Sequence, residues 1–236
     1  MSKSSRADIF QRLNGSDKTS HDSVVRARQQ LGSAPAAELP SDNLAIAFLC
    51  NVLNNGGTID CAKDRTGTIK ALGAYLYDQF RTQRLVAGND PRLAALPWRD
   101  AGLLPRFGAA EDGEAAALSY AQLAVAETGA IATFTGKASP AANAFLPEHH
   151  LVLVALEDIV ADWEAAWARI HSVWGNASRP RGVNFIAGPS STADIDGQLV
   201  AGAHGPRRWH VIVVGELPAD TCARAHALWQ VANSES

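Results

Sequence analysis

The run Leu151-Val-Leu-Val-Ala-Leu156, bounded by His149-His150 and Glu157-Asp158, most narrows what this chain can fold into. A strand with one wet face alternates apolar and polar residues, whereas a strand covered on both faces reads as a continuous apolar run. Such a strand needs a layer above it and another below, and helices packed on a parallel sheet supply both. Val211-Ile-Val-Val214 repeats the signal later in the chain.

The intervening segments agree. Leu44 to Leu53 reads as a helix, Asn54-Asn-Gly-Gly57 as a turn and Thr58 to Ala62 as a short strand. Ile69, Leu72, Leu76 and Phe80, three and four apart, mark one helical face. Gln83 to Ala87 reads as a strand, and Gly88-Asn-Asp-Pro91 opens a helical piece towards Trp98. Ala130 to Thr135 is β-rich, and Trp163, Trp167, Ile170 and Trp174 form a helical stripe behind Asp162, a fitting cap. Val183 to Ala187 and Trp209 to Val214 complete the strands, and Ala225, Leu228, Trp229 and Ala232 mark a terminal helix. The prediction is an α/β fold with a mainly parallel sheet flanked by helices over residues 41–236.

Residues 1–40 stand apart as a helical N-terminal arm and linker. Ala7, Ile9, Phe10 and Leu13 suggest one short helix, Val24 to Leu31 a second ending at Gly32, and Ser33 to Pro40 a linker.

A net charge of −3 offers no electrostatic reason to expect nucleic acid or an anionic membrane as partner. No apolar run approaches the roughly 20 residues that span a bilayer, and Met1 to Arg12 lacks the apolar core of a secretory signal. A cytoplasmic location is therefore expected. Cys50, Cys61 and Cys222 are scattered and form no C-x-x-C pair, so free thiols are expected, with neither zinc ribbon nor iron–sulfur cluster in this chain. His149 and His150 should point to opposite sides of a strand, which argues against a shared metal.

Ligands of parallel sheets bind beyond the carboxyl ends of the strands, and two segments place chemistry at such junctions. In Glu127-Thr128-Gly129 a carboxylate beside a permissive glycine could act as acid, base or nucleophile; the plainer reading is a cap plus a turn glycine. The second segment is Gly188-Pro-Ser190-Ser191-Thr192-Ala-Asp194-Ile195, followed by His204-Gly205-Pro206. A helix beginning near Ala193 would aim hydroxyls and backbone N–H groups at an anion. Asp194 could orient His204 or bind a ligand hydroxyl, and His204 could transfer protons near neutrality. Its plainer reading is a Ser/Thr cap followed by a structural His-Gly-Pro turn. Walker and G-x-G-x-x-G motifs do not occur.

Ala126-Glu-Thr-Gly-Ala130, Phe145-Leu-Pro147 before His150-Leu-Val-Leu-Val154, Gly188 to Ile195, and His204-Gly-Pro-Arg-Arg-Trp-His-Val-Ile-Val213 occur in an order and spacing that resembles LUD domains of the LutC/YkgG family. Arg6 to Leu13 resembles the short N-terminal helix of these proteins. The resemblance implies a fold similar to sugar-phosphate isomerases, CoA transferases and formyltetrahydrofolate cyclo-ligases (the NagB/RpiA/CoA-transferase-like fold). It also implies the role of non-cluster subunit in a system oxidising L-lactate to pyruvate, with LutA-like and LutB-like partners carrying the iron–sulfur clusters. Glu127, Asp194 and His204 would then be the reactive groups, and Thr128, Gly129, Ser190, Ser191, Thr192 and Gly205 would hold a small carboxylate. The alternative on fold analogy is an independent acyl- or formyl-transfer enzyme, with Glu127 as nucleophile or base and backbone N–H groups near Thr192 stabilising an oxyanion.

Overall fold

Strand β7 (His149–Ala155) is buried along its whole length, as its unbroken apolar run requires. It lies parallel between β12 (Arg208–Val214) and β4 (Ala116–Tyr120). With β1 (Thr58–Ala62), β2 (Arg84–Ala87) and β3 (Leu104–Phe107) these strands form a six-stranded sheet, in the order β1-β12-β7-β4-β2-β3, whose neighbours are all parallel. The structure, a computed structural model, describes Phe10 and residues 21–32, 35–36, 38–174, 180–195 and 198–234. It divides into two units, residues 1–36 and 37–236. The first contains helix α1 (His21–Gln30); the helix expected over Ala7 to Leu13 lies, apart from Phe10, outside the described residues.

Alternation along the strands separates two cores. Leu151, Leu153, Ile212 and Leu118 pack against Ile69, Leu72 and Leu76 of α3 (Arg65–Phe80). Val152, Val154, Trp209, Val211 and Val213 face the other way, onto α2 (Leu44–Asn54) and Ala225 of α7 (Thr221–Ser234). Helix α2 is apolar nearly all round because it is covered twice. Its far side meets a second sheet, ordered β8 (Ile159–Val160), β5 (Leu123–Val125), β6 (Ala130–Phe134), β9 (Val183–Ile186), through Ala124, Ala126 and Ile131. Helix α6 (Trp163–Trp174) closes the outer face of that sheet through Ala166 and Ile170, with Asp162 Oδ1 accepting the Ala165 N–H at 2.8 Å.

Several expectations need correction. Strand β9 does not join the parallel sheet; it pairs antiparallel with β6. Strands β3 and β4 were not foreseen, because Leu-Pro-Arg-Phe and Ala-Ala-Leu-Ser-Tyr are short and weakly patterned. No helix starts near Ala193: β10 (Ser191–Ile195) forms a hairpin with β11 (Gln198–Ala201), pairing Ser191 with Ala201 and Thr192 with Val200. The β-branched Thr192, Ile195 and Val200 favour extended backbone, and the sequence between the strands is Asp196-Gly197, the dipeptide of tight hairpins. Cys61 and Cys222 are not free thiols but a disulfide, with Cα atoms 6.4 Å apart, while Cys50 is free and buried. Their sequence separation of 161 hid the pairing; the packing of α7 against β1 creates it. Among the described residues no helix is long and apolar enough to cross a membrane.

Candidate functional site at the carboxyl edge

Glu127, Thr128 and Gly129 form the turn between β5 and β6, held by the last turn of α2. Asn51 Nδ2 donates to the carbonyls of Ala126 (2.8 Å) and Glu127 (3.1 Å), and Asn55 Nδ2 donates to that of Thr128 (2.8 Å). Gly129 has φ +68° and presses on α2, where an added Cβ would sit 2.6 Å from the Asn51 carbonyl carbon. The half-buried Glu127 turns its carboxylate to α6, where Oε2 accepts the Trp163 N–H at 3.4 Å.

The second predicted segment meets the same helix end. A Cβ on Gly188 (φ +115°) would lie 2.5 Å from the Asn55 carbonyl oxygen, and Pro189 abuts Gly56. Beyond it, Ser190 N–H donates to Pro206 O (2.9 Å) and Gly202 N–H to Ser190 O (2.8 Å), while Gly205 packs on the Ser190 side chain. Ser191 is exposed and Thr192 half-buried on β10; Asp194 lies on the same strand, and its side chain is outside the described residues. His204 is exposed. The backbones of both segments thus share Asn55 as an anchor, but no hydrogen bond joins Glu127 to His204 among the described residues. Arg207 and Arg208 follow directly and lead into β12, so the hairpin base sits at the amino edge of the parallel sheet.

The opposite edge carries a denser constellation. Asp90, just past β2, accepts three bonds from Arg92 at its carboxylate: from the backbone N–H and Nε to Oδ1 (2.9 and 3.0 Å), and from Nη2 to Oδ2 (2.8 Å). Burial opposes ionisation of Asp90, but these bonds outweigh it and hold its pKa below the usual carboxylate value. The Arg92 guanidinium stacks over Tyr120, at the end of β4, 3.6 Å from the ring centre. Asp158, just past β7, accepts from Arg169 Nη2 at 2.6 Å, and Arg92 Nη1 lies 3.8 Å from its other oxygen. Burial raises the pKa of Asp158, with Arg169 and Arg92 pulling the other way.

These groups border a cavity of about 320 Å³. Arg92, Asp158, Arg169 and Gln122 form its polar side, and Leu123, Phe134, Ile170 and Val173 its apolar side. Gln122 Oε1 already accepts the Phe134 N–H (3.0 Å), which leaves its amide NH2 as a donor. Arg92, Gln122 and Asp158 follow β2, β4 and β7, where parallel sheets hold ligands. Sequence reasoning passed over them, although a charged residue directly after a fully buried strand, as in Leu156-Glu-Asp158, was a usable signal.

A third group is buried at the amino half of the sheet. His210 stacks on Tyr75 (4.2 Å) with Nδ1 2.8 Å from Thr58 Oγ1, and Tyr75 OH lies 3.0 Å from His149 Nδ1. On the opposite face, His150 Nε2 meets Ser119 Oγ at 3.0 Å.

Residues 113–214 match the LUD domain family, from just before β4 to the end of β12. The chain has an α/β fold, and over this stretch it is similar to the LUD domain family. The chain is also similar to proteins named lactate utilization protein C. It is 35% identical over 98 residues to lactate utilization protein C of Geobacillus sp. (strain WCH70), covering 41% of each chain. It is 28% identical over 194 residues to that of Geobacillus thermodenitrificans (strain NG80-2), covering 81% of this chain and 77% of the relative. The stretch shared with the first of these spans about two-fifths of that relative's length. A crystal structure of a DUF162 family protein from Deinococcus radiodurans superposes with a TM-score of 0.50 at 22% identity, over 73% of this chain and 96% of that one, and so shares the fold.

Proposed function

We propose that this chain serves lactate utilization in the cytoplasm, as the non-cluster subunit of a system that oxidises L-lactate to pyruvate, and that it binds a small 2-hydroxy carboxylate at the carboxyl edge. The LutA-like and LutB-like partners would carry the iron–sulfur clusters. The observation that carries the ligand reading is the Arg92–Asp158–Arg169 row along the cavity beyond β2, β4 and β7. A 2-hydroxy acid presents a carboxylate, which accepts hydrogen bonds, beside a hydroxyl, which donates one. Guanidinium N–H groups suit the first and the Asp158 carboxylate suits the second.

Calorimetric titration with L-lactate and with pyruvate tests this. Arg169→Ala should weaken binding at least tenfold, and a deletion strain complemented with that variant should grow poorly on L-lactate. Wild-type protein that binds neither acid, together with normal lactate growth of the deletion strain, would sink the proposal.

The shared Asn55 anchor supports a second reading, in which Glu127 and His204 handle the ligand at the amino edge. Under it, Glu127→Gln and His204→Ala abolish lactate growth while Arg169→Ala does not. The independent acyl- or formyl-transfer alternative loses its helix-start oxyanion site, since Thr192 lies in a hairpin.

A further inference from the structure

We infer that the carboxyl-edge cavity accepts 2-hydroxy acids with branched or aromatic side chains in preference to lactate itself, an inference that rests on the 2-hydroxy carboxylate reading above. Among the described residues, the polar groups occupy one side of the cavity and Leu123, Phe134, Ile170 and Val173 the other. At about 320 Å³ it holds the equivalent of roughly ten waters at about 30 Å³ each. With its carboxylate at Arg169 and its hydroxyl at Asp158, lactate offers the apolar wall a single methyl group and leaves most of that space to water.

A longer side chain replaces this water with contacts to Ile170 and Leu123, both buried in the core between α6 and the second sheet. Each added methylene buried against such a wall tightens binding by roughly fourfold. The wall is also open at one end, because Val173 is 62% exposed at the outer turns of α6, so a branched or ring side chain can extend towards solvent without displacing the core. The polar row sets the class of head group, and the apolar wall sets side-chain size.

The test is calorimetry on the full chain with three probes: L-lactate, L-2-hydroxyisocaproate, and isocaproate, which lacks the hydroxyl. The expected result is 2-hydroxyisocaproate binding at least tenfold more tightly than lactate and than isocaproate. Val173→Trp, which narrows the apolar wall, should remove the advantage of 2-hydroxyisocaproate over lactate. Lactate binding as tightly as 2-hydroxyisocaproate overturns the inference while leaving the proposed function standing. Isocaproate matching 2-hydroxyisocaproate shows that the hydroxyl is not read and overturns the 2-hydroxy part. Binding of none of the three overturns this inference and the ligand reading together.

Discussion

Asp158 Oδ1 accepts a hydrogen bond from Arg169 Nη2 at 2.6 Å, and this bond joins the segment after the central strand to helix α6 in the lining of the cavity. Asp158→Asn keeps the shape of the side chain and removes its charge. A 2-hydroxy acid should then bind at least tenfold more weakly, because its hydroxyl loses a charged acceptor. Propionate, which has no hydroxyl, should bind as well as before or better. Calorimetry with L-lactate and propionate separates the two effects; equal losses for both would show that Asp158 acts only on the arginines.

Gly129 and Gly188 are tied to the end of α2 by close contact as well as by backbone conformation. Gly129→Ala would force a Cβ to within 2.6 Å of the Asn51 carbonyl carbon at φ +68°, and Gly188→Ala one to within 2.5 Å of Asn55 O. Each should destabilise by more than about 2 kcal/mol and lower the melting temperature by several degrees. Gly113→Ala is the control: its φ is +83° but nothing lies within 4 Å of the new Cβ, so only about 1 kcal/mol of backbone strain is expected. Equal melting temperatures for all three variants would refute the role of the α2 contacts.

His150 and His210 predict acid lability. Burial pushes the His150 pKa down to about 3, and burial with the nearby His149 does the same for His210. His150 Nδ1 and His210 Nε2 have no hydrogen-bond partner, and the nearest carboxylate oxygen to His210 Nε2, Asp60 Oδ2, is 3.9 Å away, so protonating either ring would bury a charged N–H without a hydrogen bond. The folded pKa lies below the unfolded value near 6.5, so the unfolded chain binds more protons between those limits. Stability is therefore fully present above about pH 6.5 and is lost as pH falls towards 3, by up to about 1.4 kcal/mol per pH unit for each histidine. Urea unfolding across this range measures the slope. His150→Gln keeps a partner for Ser119 without titrating and should flatten it; an unchanged slope in that variant would assign the acid sensitivity elsewhere.

The Cys61–Cys222 disulfide closes most of the chain into one loop, and cross-links of this kind stabilise by roughly 2–4 kcal/mol. Reduction should lower the melting temperature by several degrees, and Cys222→Ser should match the reduced protein and no longer respond to reductant. Thiol titration after denaturation should count Cys50 alone in oxidised protein and all three cysteines after reduction. Three reactive thiols without reductant would argue for the reduced state that a cytoplasmic location favours.

The parts of the fold readable in advance were those with a strong local signal. The apolar runs of β7 and β12, the 3–4 spacing of α3 and the Asp162 cap of α6 each carry their structure within a few residues. Strand β4 could not be read this way, since Ala-Ala-Leu-Ser-Tyr becomes a strand only because β2 and β7 pair with it on either side. Strand β9 looks locally like a parallel strand; its antiparallel partner β6 and its place in the second sheet depend on α2 lying between the two sheets.

The same division runs through the candidate site. The Glu127 and Ser190 segments attract notice because glycine, hydroxyl and acid residues cluster in sequence, and clustering of that kind marks turns as readily as ligand sites. Arg92 lies far from Asp158 and Arg169 in the chain and meets them only because β2 and β7 end at the same edge of the sheet, with α6 folded back over it. The amino-acid order by itself determined the class of fold and its elements, since periodicity and capping act over single turns of chain. Tertiary structure decided which charges face one another and which cysteines meet, because those distances depend on strand order and helix packing, which no local pattern encodes.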